Sequence, residues 1–277
     1  MSKRQKFAVA AIALLVGILL SRVGLGHFLQ WRFRVVGFAV FSGLVTLGVL
    51  KDEDFSGIEW LTLPILPVMF SLAALLLFPL LPNNFDSVVS FTISADTGGL
   101  LALALRMVFL AIFAVGYYAT VLAANIYNVA AVRNIQLIRV AHSVGFLMTV
   151  ATALLSYVVV ASLHLPNFLN LIVIFAVTLP LIFQAVWSVM LEKTLGERTV
   201  AFSFLGAAII AQVAWVLSFW PISISILALF LTAIFYEIVG IIQYHLSQRL
   251  NDKIVREFVL VTAATFFIIL FTAQWGN

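Results

Sequence analysis

Few side chains in this sequence can do chemistry, and their depth narrows what they can do. Glu237 is a carboxylate deep inside a long apolar run. An ionisable group in such a place costs enough to be a site candidate by default. Asn125, Asn128, His142 and Gln184 fall at a similar depth on other apolar runs, and Arg139 precedes His142 by three residues. Gln243 and His245 follow Glu237 toward the same end, and Gln212 lies nearer the middle of its run. A carboxylate, an imidazole and several amides can bind a polar solute or an ion, relay a proton, or tie helices together by hydrogen bonds. The candidate binding cluster is therefore Glu237, His142, Asn125, Asn128, Gln184 and Arg139. By the rise per residue, Glu237 sits about 12 Å from the inner end of its span. Arg106 sits about 10 Å below the outer end of another span, the wrong depth to pair with Glu237. It reads as structural, snorkelling outward or bonding to nearby carbonyls.

Other chemistries are poorly supported. Asp96-Thr97-Gly98 matches the aspartic-protease tripeptide, but that reaction needs two such carboxylates on strand-borne loops. One copy before an apolar run reads better as a helix N-cap. His-Glu-x-x-His, Gly-x-Ser-x-Gly and the phosphate-cradling Gly-x-x-x-x-Gly-Lys are all missing. So are paired Asp-rich motifs for magnesium and a prenyl diphosphate, and a Lys in the last spans for a retinal Schiff base. His142 and His245 are two histidines without a haem-ligation spacing. With no cysteine, thiol nucleophiles, thiolate metal sites and disulfides are excluded. No catalytic residue, metal ligand or cofactor is assigned.

The elements that must position these residues follow from composition. Of 277 residues, 64% are apolar and 9% charged, against roughly a quarter charged in a soluble domain. Mean hydropathy is +1.18, so lipid is the solvent for most of the chain. A soluble enzyme, a disordered chain and a nucleic-acid binder are excluded. The net charge of +4 reads as orientation signal. Lipid forbids unpaired backbone edges, so the class is all-α, a polytopic transmembrane helical bundle. Nine spans are expected in a single integral-membrane domain of residues 1–277: 7–21, 35–50, 61–81, 99–125, 138–163, 168–191, 200–219, 222–245 and 255–275.

Seven basic residues (Arg133, Arg139, Lys193, Arg198, Arg249, Lys253 and Arg256) lie in alternate linkers, and the intervening linkers carry none. The positive-inside rule then places those linkers and the N-terminus in the cytoplasm and the C-terminus outside. Segment 22–34 dissents, holding Arg22, Arg32 and Arg34 on the side expected outside. It is expected along the outer interface, Arg22 snorkelling from an extended first helix. The basic start and short first run resemble a signal peptide, but no small-x-small cleavage site follows, so an uncleaved anchor is expected. Trp31, Trp60, Trp220 and Trp275 fall at span ends as an aromatic belt. Residues 51–60 form an acidic cytoplasmic loop. Gly145, Thr149 and Ala153, and Ala207 and Ala211, are small residues at helical spacing that permit close helix packing. No internal repeat is visible, and nine spans do not divide into two equal inverted halves.

The segment Asn125-Ile-Tyr-Asn-Val-Ala-Ala-Val-Arg133-Asn-Ile-Gln-Leu-Ile-Arg139-Val-Ala-His142-Ser-Val-Gly145 is similar to one in an uncharacterised family of bacterial integral-membrane proteins. Phe219-Trp220-Pro221 and Gln248-Arg249-Leu250 resemble the same group, over about spans three to eight. The resemblance implies a bacterial inner membrane and carries no activity. The expected partners are the lipid bilayer and a small-molecule or ion ligand, with no nucleic acid. Three readings stay open. The first is a transporter or channel-like component with a polar cavity in the cytoplasmic half of the bilayer. The second is a non-catalytic scaffold or assembly partner. The third is an enzyme acting on a lipid-linked substrate, with Glu237 and His142 as acid and base.

Overall fold

The computed structural model describes residues 2–23, 31–50, 57–82, 96–132, 137–192 and 194–272. Among them there is no strand and there are nine α-helices. These are α1 (Lys3–Val23), α2 (Trp31–Leu50), α3 (Glu59–Leu77, continued by a 3₁₀ turn at Phe78–Leu80), α4 (Asp96–Val132) and α5 (Ile138–Ser162), followed by α6 (Asn167–Met190), α7 (Glu197–Leu217), α8 (Ile224–Leu246) and α9 (Asp252–Thr272). Seven of them are long and apolar enough to cross a membrane, from α3 to α9.

The ends of these helices have local causes. Pro166 directly precedes α6 and Pro221 lies between α7 and α8, positions where the missing N–H costs no helical hydrogen bond. Asn251 caps α9: its Oδ1 accepts from the Ile254 N–H at 3.0 Å, satisfying one of the donors a helix start leaves open. At the end of α8, Gln248 takes φ 55°. The N–H of Gln248 then donates to His245 O, and that of Arg249 to Tyr244 O, both at 3.0 Å. This is a Schellman closure formed without glycine.

Four expectations about spans are corrected here. The first two runs, expected short, belong to helices of 21 and 20 residues, because the basic and aromatic residues beside the apolar cores continue the same helix. Arg22 falls on α1 and Arg32 and Arg34 on α2, so these arginines of the segment expected along the interface are helical; residues 24–30 lie outside the described residues. The fourth run is longer than expected: α4 has 37 residues, since Asn125 and Asn128 do not end it. Asp96-Thr97-Gly98 is its first turn and not a strand-borne loop, which removes the protease reading. Finally, Glu59 opens α3 and is fully buried, whereas it was expected in an acidic loop. Residues 51–56 of that loop, with Arg133, Asn134, Gln136, Lys193 and Trp275, lie outside the described residues.

The helices form two compact units. Met1–Asp52 with Pro67–Leu122 make one, and Glu53–Leu66 with Ala123–Asn277 make the other; α3 and α4 each contribute to both. In the first unit, α1 packs on α2. Phe70 stacks on Phe113 at 5.7 Å between ring centres. The Thr46 hydroxyl donates to Ser42 O at 2.7 Å, so the Tyr117 hydroxyl, 2.9 Å away, donates to Thr46. Arg106 donates to the Leu81 carbonyl at 3.3 Å, as its structural reading expects.

In the second unit, α6 packs most extensively on α7, α5 on α6 and α8, and α8 also on α7 and α9. Small residues permit this. Gly206, Ala207, Ala211 and Ala214 are buried on one face of α7, and a Cβ at Gly206 would stand 3.0 Å from both Ile182 on α6 and Ile238 on α8. In lipid, such close van der Waals packing and a few interhelical hydrogen bonds hold helices together, each bond contributing roughly 0.6–2 kcal/mol. The Tyr157 hydroxyl of α5 shares one with Thr178 of α6 at 2.9 Å.

Candidate functional site

His142 lies in the second turn of α5, and its Nε2 is 2.8 Å from the Ser188 carbonyl of α6. A carbonyl oxygen only accepts, so Nε2 carries the proton and Nδ1 is the ring nitrogen left over. Gln243, near the end of α8, donates through Nε2 to the Ala185 carbonyl one turn earlier on α6, at 2.9 Å. Tyr127 of α4 donates to the Ala141 carbonyl at 2.8 Å, and its ring lies 5.6 Å from that of His142. Polar side chains from α4, α5 and α8 thus engage main-chain carbonyls of neighbouring helices. Gly145 is necessary to this arrangement, since any Cβ there would collide with the Tyr127 hydroxyl.

Glu237 is 6% exposed. Its Oε2 accepts a hydrogen bond from the Thr262 hydroxyl of α9, and its buried Oε1 has no hydrogen-bond partner among the described residues. The expectation that Glu237 would meet Asn125, Asn128 or His142 on the fourth or fifth span is therefore corrected: its partner is on α9. Asn128 is buried with neither amide atom partnered among the described residues. Asn125 is half-buried on the same helix. Gln184 is buried, with Thr149 Oγ1 at 3.5 Å from its Oε1. That hydroxyl has one proton, and its 2.7 Å bond to Gly145 O is the better one. Arg139 is exposed at the start of α5. The predicted residues therefore do not converge on a single point. His142 and Glu237 have separate partners, so the acid–base pair of the enzyme reading has no geometric support. His245 is exposed on α8, its ring edge-on to Phe202.

The first turns of α5 and α9 and the last turns of α6 and α8 line a cleft of about 250 Å³. His142, Ser143, Gln243 and Arg249 supply its polar lining, and Phe146, Tyr236 and Phe258 supply aromatic walls. Gly240 forms part of it, one helical turn on from Glu237. A Cβ at Gly240 would come within 2.6 Å of the Phe258 ring, so glycine here lets α9 close against α8. Of these lining residues, Arg249 and the aromatic walls were missed in the sequence, as was Thr262 beside Glu237. The only signal for Thr262 was a hydroxyl within the last apolar run.

The model of DUF5656, a family described as proteins of unknown function, matches residues 45–272. The chain belongs to this family. The match takes in segment 125–145, whose resemblance pointed to an uncharacterised family, and extends well beyond it. No curated protein and no solved structure matches. Within this DUF5656 chain, the matched residues include every one of the six candidate positions and the whole cleft.

Proposed function

We propose that the chain is a single nine-span domain of a bacterial inner membrane, with its N-terminus in the cytoplasm and its C-terminus outside. On this reading it is a transporter or channel-like component whose cytoplasm-facing cleft admits a small solute or ion. The seven-to-zero asymmetry of basic residues supports the orientation, and it puts the cleft on the cytoplasmic side. One observation carries the transport reading. A buried carboxylate, with one oxygen unpartnered among the described residues, stands a single turn beyond Gly240 of an open, polar cleft. A buried acid without full hydrogen bonding is costly, and a passing cation, proton or water would satisfy it.

The scaffold reading draws on a different observation. His142, Gln243 and Tyr127 all bond to main-chain carbonyls of neighbouring helices, as groups that lock a bundle would. Access of water to Glu237 separates the two. The chain has no native cysteine, so Glu237→Cys can be treated with a small charged methanethiosulfonate in inside-out and right-side-out vesicles. Transport predicts modification from the cytoplasmic side. A thiol inert from both sides, in a protein that still inserts, would leave the scaffold reading standing.

A further inference from the structure

The chemistry of the cleft points to a ligand class, and this inference rests on the reading that the cleft binds something from the cytoplasm. Two helices begin at this end of the second unit (α5 and α9) and two end there (α6 and α8). Their opposed dipoles largely offset one another, so the side chains set the sign of the cleft. Arg249 lines it and, among the described residues, no carboxylate does. Asp252 and Glu257 of α9 are nearby in sequence, but they are exposed and outside the lining. Arg249 is itself exposed, and the Schellman closure fixes its backbone at the cleft.

The donors around Arg249 suit an anion with several oxygens. Ser247 offers a hydroxyl, Ser143 one that would have to leave its 3.3 Å bond to Arg139 O, and Gln243 a second amide proton beyond the one held by Ala185 O. A guanidinium fork with hydroxyl and amide donors is phosphate-binding chemistry. The lining also carries a continuous aromatic run: Phe146 lies 5.4 Å from Tyr236, Tyr236 lies 5.5 Å from Phe258, and Phe258 lies 6.2 Å from Tyr244. A volume of about 250 Å³ is below the usual range for a whole drug-sized ligand, and it suits a headgroup whose remainder lies outside.

We infer that the cleft binds the phosphate of an organic phosphate that is anionic overall and has an apolar remainder, Arg249 holding the phosphate and the Phe146–Tyr236–Phe258 wall taking the apolar part. Basic recesses between membrane helices at the cytoplasmic side are known to hold phosphate headgroups. The same chemistry is available from an anionic phospholipid or from a soluble phosphate ester.

The test uses the full chain in a neutral detergent. It is titrated with short-chain phosphatidylglycerol, phosphatidylcholine of equal chain length, and phenyl phosphate. Phosphatidylglycerol is expected to bind at least about tenfold tighter than phosphatidylcholine, and Arg249→Gln to remove that preference, as loss of one charge-assisted contact predicts. Arg249→Lys should retain part of it. Weak phenyl phosphate binding would identify a lipid as the source, whereas binding as tight as that of the lipid would identify a soluble ester. Equal binding of both lipids, or a preference unchanged in Arg249→Gln, would overturn the inference. Ser143→Trp, which blocks the mouth from an exposed position, tests the underlying reading separately. If it abolishes binding of every probe while charge selectivity is absent, the cleft stands and the phosphate does not. If it changes nothing, the cleft is not the binding site.

Discussion

Gly145 and Tyr127 are the most tightly interlocked pair of the candidate region. Tyr127→Phe removes one hydrogen bond to a carbonyl that keeps its helical partner, so a loss of about 1 kcal/mol is expected. Gly145→Ala drives a methyl into the hydroxyl and should cost about 1–3 kcal/mol. The double variant should lose less than the two singles together, because deleting the hydroxyl also deletes the collision. Denaturation in detergent measures all three, and strictly additive losses would deny the contact. In the sequence, Gly145 was legible as a close-approach residue but not as the seat of a tyrosine hydroxyl. Glu237 shows the same division. Its burial follows from the cost of a carboxylate in lipid, which is a property of α8 alone. Its partner Thr262 depends on which helix lies against that face, and nothing in the α8 sequence specifies α9. Glu59 was misjudged because its acidic neighbours suggested a solvated loop, while its burial is decided by the packing of α3.

At the level of the element, the long apolar runs were read correctly as helices from α3 to α9, since hydrophobic length is a direct physical requirement. Their ends were less legible. Among the described residues, His164, Leu191 and Gln248 have positive φ without being glycine, and each closes a helix on the first residue or two beyond it. Gln248 is exposed and pays the Cβ penalty of the left-handed region. Gln248→Gly should therefore raise stability by about 0.5–1 kcal/mol, read as a higher Tm of the detergent-solubilised protein. No change or a loss would mean that the glutamine side chain compensates for its strained backbone. The substitution also leaves the direction of Arg249 unaltered, so ligand binding and stability should respond independently.

For the whole molecule, the composition fixed the class and left the count to the N-terminal region. Removing α1 and α2 from the set of spans changes their number by two and leaves the sidedness of α3 to α9 unaltered. The two cases differ at residues 24–30, which are outside the membrane if both helices cross and cytoplasmic if neither does. Gly26→Cys is expected to react with an impermeant maleimide from outside, and Gln248→Cys from the cytoplasm only. Labelling of Gly26→Cys from the cytoplasm would reduce the spans to seven. The unusual length of α4 bears on the surrounding lipid. Its apolar stretch Gly99–Ala130 has 32 residues, about 48 Å of helix against a hydrocarbon core of about 30 Å. The 21-residue α7 and α9 reach only about 31 Å and have no slack. A thicker bilayer can be met by α4 standing more upright, but α7 and α9 would have to draw the membrane inward around themselves. Reconstituted into lipids of increasing acyl length, the protein should melt at a highest temperature where the bilayer matches its shortest spans. In longer-chain lipids it should lose stability, or cluster to share the deformed annulus.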